Sequence, residues 1–171
     1  MSAKRLSSTA ALAAVYALTT LLLAPLSFGV VQCRIAEVLC LLPYCFPGSV
    51  WGLFLGCALA NLLSGNALDF VFGSLATLLS ALAVREVGRR NLAPALACLF
   101  PVLCNGLIVG AVLTVGYENA SIAANPRLYA LNALSVALGE ALVVCALGLP
   151  LLKWLSGQKL YGFLKTQPES G

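Results

Sequence analysis

The chain has no histidine and few charged residues, and both absences restrict its chemistry. Without histidine, Ser-His-Asp and Cys-His catalysis, His-ligated zinc and His-held haem are excluded. The G-x-x-x-x-G-K-[ST] motif is also missing, so ATP hydrolysis by a P-loop is not expected. Charged residues make up 9% of the sequence, whereas soluble domains carry about 25%. This scarcity argues against a disordered chain, a nucleic-acid-binding module and an ordinary water-soluble enzyme.

Apolar residues are abundant instead: they make up 61% of the 171 residues, and the mean hydropathy is +0.98. These values predict a single all-α integral membrane domain over residues 1–171. The seven cysteines form no C-x-x-C pair and lie mostly in apolar runs. We interpret them as small buried hydrophobic residues rather than as disulfide partners or metal ligands. No metal or other cofactor is expected.

Charge-free stretches locate the membrane-spanning segments, each of which needs about 20 apolar residues. The second stretch, 38–68, is interrupted by Pro43, Pro47 and Gly48, which break a helix and favour a turn. A break there predicts a six-helix bundle. The predicted spans are 6–24, 33–46, 48–64, 69–84, 92–115 and 129–152, followed by a cytoplasmic tail over 153–171. The apolar run after Lys4 and Arg5 also resembles a signal peptide, but it exceeds the usual 7–15 residues, so we favour a retained first helix.

The basic residues support six spans with both termini in the cytoplasm. In that topology one side of the membrane holds eight basic residues, and the other side holds only Arg34 and Arg127. With five spans, most basic residues would face away from the N-terminal side, against the rule that positive charge stays in the cytoplasm. The eight are Lys4, Arg5, Arg85, Arg89, Arg90, Lys153, Lys159 and Lys165.

Polar residues inside apolar segments are costly and therefore mark candidate sites. Glu140 lies in the middle of the sixth predicted span, far in sequence from any helix end or basic residue, and is the strongest candidate for a ligand or coupling role. For the others a structural role competes with ligand binding. Arg34 and Glu37 are spaced to pair with each other, and Asp69 can cap a helix. Asn61 and Asn105 can form hydrogen bonds that join helices.

Several short runs resemble the QueT family, the queuosine-precursor S components of energy-coupling factor (ECF) importers of the ABC type. The resemblance covers residues 8–153, and the order of the runs is more specific than any one of them. The runs are Ala24-Pro25-Leu26-Ser27-Phe28-Gly29, Gln32-x-Arg34-Ile35-Ala36-Glu37, Gly52-Leu53-x-x-Gly56-Cys57-x-x-Ala60-Asn61-Leu62-Leu63-Ser64-Gly65, Asp69-x-x-Phe72-Gly73-Ser74-Leu75-Ala76-Thr77-Leu78, Pro101-Val102-x-x-Asn105, Gly139-Glu140 and Leu147-Gly148-Leu149-Pro150.

The resemblance implies a non-enzymatic, multi-pass protein of a bacterial cell membrane that captures a vitamin-like solute from outside. The expected solute is a small deazapurine: 7-cyano-7-deazaguanine, its aminomethyl form or queuine. The expected partners are an ECF transmembrane coupling protein and two ATPases, with the loop at 25–32 acting as a lid over the solute. In such systems alanines on the first helix contact the coupling protein, and the matching residues here are Ala10, Ala13, Ala14 and Ala17.

The polar residues suit the chemistry of that solute. A carboxylate, from Glu140 or Glu37, can accept both N1–H and the exocyclic amine of a guanine edge. The carbonyl at position 6 needs a donor, which Asn105, Gln32 or Arg34 can supply. Asp69 suits a cationic aminomethyl arm, and Asn61 is a further polar candidate. The flat ring is expected to stack on an aromatic side chain; the candidates are Phe28, Phe72, Tyr117 and Tyr129.

Three other interpretations remain open at this stage. The chain could be an S component for another vitamin, which only the motif resemblance argues against. It could be a stand-alone secondary transporter that uses a proton on Glu140 and needs no ATP. An intramembrane enzyme is the least favoured, because the sequence offers no convincing pair of nucleophile and base.

Overall fold

A computed structural model describes residues 3–27, 33–65 and 67–157, and every regular element within these ranges is helical. The predicted all-helical fold is therefore confirmed. A short helical turn, Ala24–Ser27, follows the first helix. The helices are α1 (Ala3–Leu22), α2 (Ile35–Tyr44), α3 (Ser49–Leu63), α4 (Asp69–Arg89), α5 (Pro94–Tyr117) and α6 (Pro126–Ser156).

The helix boundaries follow the proline and glycine positions. Prolines occupy the first turn of α5 and α6, where the missing N–H is not needed. α2 ends at Tyr44 and α3 begins at Ser49, so the chain breaks around the Pro43–Gly48 segment. α2 has the tighter 3-10 hydrogen-bond pattern and contains Pro43.

Several helices extend beyond the predicted spans. α4 continues to Arg89 rather than stopping at residue 84, because Glu86 pairs with Arg89 and Arg90 at 3.0 and 2.7 Å along the helix surface. α6 runs to Ser156, four residues past the predicted end. The final part of the predicted cytoplasmic tail, 158–171, lies outside the described residues.

α2 occupies the centre of the bundle and contacts α1, α3, α4, α5 and α6. Around it, α5 packs closely on α6, and α1 packs closely on α3. Glycines make these approaches possible: an added Cβ at Gly56 would lie 2.8 Å from the Ala13 carbonyl oxygen, and one at Gly110 would lie 2.6 Å from Ala133 Cα. The regularly spaced glycines of α3 and α5 therefore serve packing within the bundle.

Within the described ranges, four helices are long and apolar enough to cross a membrane, namely α1, α4, α5 and α6, whereas α2 and α3 are shorter apolar helices. Large apolar side chains are exposed on the outer surface, among them Leu18, Leu107 and Leu138. Such a surface suits lipid rather than water. The number of crossings and the side on which each terminus lies remain predictions from the charge distribution.

Candidate functional site

A small cavity lies where the start of α2 meets the middle of α5 and α6. Four of its lining side chains are polar and almost completely buried, with exposed fractions of at most 5%. Two valines complete the wall. The lining residues are Arg34, Glu37, Asn105, Val109, Val136 and Glu140. Four buried polar groups around one cavity are unusual in so apolar a protein, because buried polar groups cost free energy unless they are hydrogen-bonded.

Glu37 is held by hydroxyl groups from two other helices. The Tyr16 hydroxyl on α1 donates a hydrogen bond to Glu37 Oε1. Thr77 Oγ1 on α4 lies 3.3 Å from the same oxygen. The second oxygen, Oε2, is buried and has no hydrogen-bond partner among the described residues. One oxygen of the carboxylate is therefore tethered to the bundle while the other can accept a bond from a ligand.

Arg34 precedes α2 in an extended conformation, with φ −86° and ψ 94°. Its Nη1 atom lies 3.6 Å from the thiol sulfur of Cys57 on α3. The guanidinium group also borders the cavity. Pairing between Arg34 and Glu37 is one interpretation of their spacing and stays a prediction. In the structure both side chains line the cavity, and Tyr16 and Thr77 contact the Glu37 carboxylate.

Asn105 and Glu140 reach the cavity from α5 and α6. Asn105 Oδ1 and Glu140 Oε1 are both buried, and neither has a hydrogen-bond partner in the described part of the chain. Together with Glu37 Oε2, they place three unsatisfied acceptor oxygens on residues that line one cavity. Leaving a buried acceptor unsatisfied costs about 1–3 kcal/mol, so the site suits a ligand that brings several hydrogen-bond donors.

The formal charges of the lining side chains favour the same kind of ligand. Arg34 carries one positive charge, and Glu37 and Glu140 carry one negative charge each when ionised. An uncompensated carboxylate in a buried site is strongly unfavourable. A donor-rich or cationic solute can compensate for it.

Asn61 and Asp69 form a second polar cluster, which the structure places between α3, α4 and α5. Asn61 Nδ2 donates to the backbone carbonyl of Asp69 at 2.8 Å and also lies 3.4 Å from Ser74 Oγ. The Tyr117 hydroxyl donates to Asp69 Oδ2 at 2.8 Å. Both residues are completely buried, and these contacts join helices. The interhelical interpretation of Asn61 is therefore the one that its geometry supports.

The remaining predicted site residues lie away from the cavity or outside the described residues. Phe72 is 45% exposed on the outer surface. The hydroxyl of Tyr129 on α6 donates to the backbone carbonyl of Leu107 on α5 at 3.2 Å. Among the described lining residues none is aromatic, so the stacking partner is not among them. Phe28 and Gln32 lie outside the described residues, as does most of the loop predicted to act as a lid.

Sequence reasoning missed four residues of the site. Val109 and Val136 line the cavity but look like any other apolar residue of a membrane helix. Tyr16 and Thr77 contact Glu37, and both carry hydroxyl groups inside apolar helices. A hydroxyl in such a segment tends to find a partner on another helix. This signal was available for Tyr16, which is the sole tyrosine of α1.

The four alanines of α1 that were predicted to contact a partner divide between two faces. Ala10 and Ala14 are exposed, whereas Ala17 is buried and Ala13 is half-buried. Ala13 lies against Gly56 of α3, so it packs inside the bundle. The exposed pair is the part of the predicted partner-binding stripe that another membrane protein could reach.

The seven cysteines all carry free thiols, and four of them are buried. No group of three or more acidic or cysteine side chains that could hold a metal ion occurs among the residues that the structure describes.

A comparison with protein-family models finds that residues 6–157 match a family described as QueT transporter. The match covers most of the chain and includes every residue that lines the cavity. Comparisons with curated proteins and with solved structures found no match.

Proposed function

Because the chain belongs to the QueT transporter family, and is therefore a membrane transport protein, we propose that it is the substrate-specific S component of an ECF-type importer. In this role it captures a queuosine precursor, a 7-deazaguanine derivative or queuine, from outside the cell. A coupling protein and two ATPases supply the energy for uptake. The chain itself then binds and presents the solute without catalysing a reaction.

The observation that carries the solute class is the set of three unsatisfied acceptor oxygens beside one guanidinium group. A guanine-like edge brings N1–H and an exocyclic amine, two parallel donors that one carboxylate can accept together. Either Glu37 or Glu140 can supply that carboxylate. The carbonyl at position 6 of the ring then accepts a hydrogen bond from Arg34 or from the amide nitrogen of Asn105.

A cationic aminomethyl arm would fit the charges of the cavity. With one carboxylate reading the guanine edge and Arg34 near the ring carbonyl, the second carboxylate remains for the ammonium group. In the structure Asp69 accepts a hydrogen bond from Tyr117 and is not among the cavity-lining residues. Of the three acidic candidates, Glu37 and Glu140 are therefore the better placed to meet the arm.

The free space between the lining side chains is only about 10 Å³, roughly what one water molecule needs and far less than a deazaguanine requires. Solute entry therefore requires the wall to move. The loop at 25–32, between α1 and α2, is the segment proposed to open and close. This movement fits a binding protein that admits solute from one side of the membrane.

The proposed membrane arrangement has six spans with both termini in the cytoplasm of a bacterial cell. The eight-to-two distribution of basic residues supports it. The exposed alanines of α1, Ala10 and Ala14, are the proposed contact with the coupling protein, because small side chains allow close approach of two helices in a membrane.

Calorimetric binding to the purified protein in detergent tests the solute. The panel contains queuine, the cyano and aminomethyl precursors, guanine and riboflavin. We expect selective binding of at least one deazaguanine at micromolar affinity or tighter. Binding of riboflavin alone would support an S component for another vitamin, and no binding of any deazaguanine to folded protein would overturn the solute assignment.

Two matched variants identify which carboxylate accepts the two donors of the guanine edge. Glu140→Gln and Glu37→Gln both keep the side-chain shape and replace one acceptor oxygen with a donor. The substitution at the residue that reads the guanine edge should lower affinity at least tenfold, because one donor then meets another donor. Unchanged affinity in both variants would remove the carboxylates from the solute site.

A stand-alone proton-coupled transporter is the second candidate, and the buried, unsatisfied Oε1 of Glu140 favours it. Reconstituted vesicles separate the two functions. Rapid uptake driven by a pH gradient, without the coupling protein or ATP, would favour the secondary transporter. Uptake that requires the coupling module and ATP would favour the S component.

A further inference from the structure

Tyr16 lies on α1, which, like α3 and α4, contributes none of the described residues of the cavity wall. It is completely buried, and its hydroxyl donates a hydrogen bond to Glu37 Oε1. Glu37 in turn lines the cavity. α1 therefore reaches the candidate solute site through a single side chain one step behind the wall.

The second hydroxyl near Glu37 has competing partners. Thr77 Oγ1 lies 3.3 Å from Glu37 Oε1, 3.3 Å from the backbone carbonyl of Gly73 and 3.2 Å from the Cys57 sulfur. A threonine hydroxyl has one proton to donate. Tyr16 is thus the hydroxyl that the geometry commits to this carboxylate.

The consequence for the site is one of orientation. Because Oε1 is tethered by Tyr16, the plane of the carboxylate is restricted, and Oε2 is left as the acceptor for a ligand. A carboxylate that must receive two parallel donors performs best when its orientation is set before the ligand arrives. We propose that Tyr16 is a positioning residue that orients Glu37 for solute binding and makes α1 part of the site. The inference rests on the proposed function, because it assigns the oriented carboxylate to the deazaguanine.

This arrangement also connects two surfaces of α1. Tyr16 faces the bundle interior, and Ala10 and Ala14 are exposed on the same helix. A displacement of α1 that follows contact with another membrane protein would move the Tyr16 hydroxyl relative to Glu37. Solute affinity and the position of α1 are thereby linked through one hydrogen bond.

The test uses Tyr16→Phe in the full chain, with Tyr44→Phe as the matched control. Tyr44 also loses a hydrogen bond in the control, since its hydroxyl donates to the Leu92 carbonyl at 2.8 Å, but it does not line the cavity. Affinity for the tightest-binding deazaguanine of the panel is measured by calorimetry, and thermal unfolding is measured without solute. We expect Tyr16→Phe to lower affinity about tenfold and Tyr44→Phe to leave it within twofold.

Double-mutant cycles distinguish positioning from a general loss of stability. If Tyr16 acts through Glu37, adding Tyr16→Phe to Glu37→Gln should change affinity less than twofold, whereas adding it to Glu140→Gln should again cost about tenfold. Should Glu37→Gln bind too weakly to measure, Thr77→Val takes its place. The double loss of both donors to Oε1 should then exceed the product of the two single effects.

The outcomes separate this inference from the function on which it rests. Equal affinities of wild type and Tyr16→Phe, in protein that binds a deazaguanine, would overturn the positioning role and leave the proposed function intact. Equal penalties in the Glu37→Gln and Glu140→Gln backgrounds would also overturn it. If the wild type binds no deazaguanine, the proposed solute fails, and the role assigned to Tyr16 fails with it.

Discussion

The close approach of α5 and α6 at Gly110 can be perturbed by a single added methyl group, and it lies on the two helices that carry Asn105 and Glu140. An alanine Cβ at Gly110 would lie 2.6 Å from Ala133 Cα and 2.8 Å from Ala133 N. Nonbonded carbon atoms normally approach to about 3.5–4.0 Å. Because the opposing atoms belong to the backbone, no side chain can rotate away, and the two helices must separate by roughly 1 Å.

Gly106 provides a matched control one turn earlier on the same face of α5. Its added Cβ would lie 3.0 Å from the Ala137 Cβ and 3.2 Å from the Ala133 carbonyl oxygen, a milder overlap. Overpacking costs about 1–3 kcal/mol, and replacing glycine with alanine in a helix returns up to about 1 kcal/mol. The propensity gain is the same at both positions, so it cancels in the comparison.

We therefore expect Gly110→Ala to be less stable than Gly106→Ala by about 1–2 kcal/mol. At about 2–4 °C per kcal/mol for a chain of this size, this amounts to several degrees in Tm. Near-ultraviolet circular dichroism in detergent provides the measurement. Solute affinity should fall in the same order, because separation of the helices moves Asn105 away from Glu140. Equal Tm values for the two variants would refute the argument from backbone contact.

Three further substitutions test the placement of other residues. Gly88→Ala should destabilise the protein by about 1–3 kcal/mol, because its Cβ would lie 2.3 Å from a carbonyl oxygen of α2. The control Gly48→Ala should change Tm little, because an added Cβ there has no atom within 4 Å. Equal Tm values for the two variants would contradict this expectation. Phe72→Ala should leave affinity for the deazaguanine panel within twofold, since this ring is 45% exposed on the outer surface, and a large loss would return it to the site. Asn61→Ala should lower Tm by removing the 2.8 Å hydrogen bond to the Asp69 carbonyl, at a cost of about 1 kcal/mol; an unchanged Tm with abolished solute binding would instead place it in the site.

The hydropathy and charge patterns predicted the helical fold. In lipid the backbone N–H and C=O groups of a long charge-free run find no water, so the run forms a helix, which pairs these groups with each other. Pro43, Pro47 and Gly48 marked the break between α2 and α3 because their backbone restrictions are local. α4 continues past the predicted span to Arg89, where charges that suit the end of a membrane span also stabilise the helix through pairs on its surface.

The candidate site was predictable in part. Arg34, Glu37, Asn105 and Glu140 stood out because each is a polar residue in or beside an apolar segment, and the structure brings all four to one cavity. The same criterion selected Asn61 and Asp69, which do not line the cavity; the structure places them in a neighbouring interhelical cluster, where Asn61 and the cavity residue Arg34 both contact the Cys57 thiol. A polar residue in a membrane segment needs a partner in either case, so its sequence context does not tell whether that partner is a ligand or another helix.

The sequence by itself determined that this protein lies in a membrane and that it is helical. It also determined the short list of polar residues that require partners. These properties follow from composition and from interactions within a few residues along the chain. Only the tertiary structure decided which polar groups share a cavity and which hydroxyl, that of Tyr16, holds Glu37 from a helix 21 residues away in sequence. Such pairings depend on how α1, α2, α5 and α6 pack, and that packing is determined by close contacts such as those of Gly56 and Gly110, which no local pattern encodes.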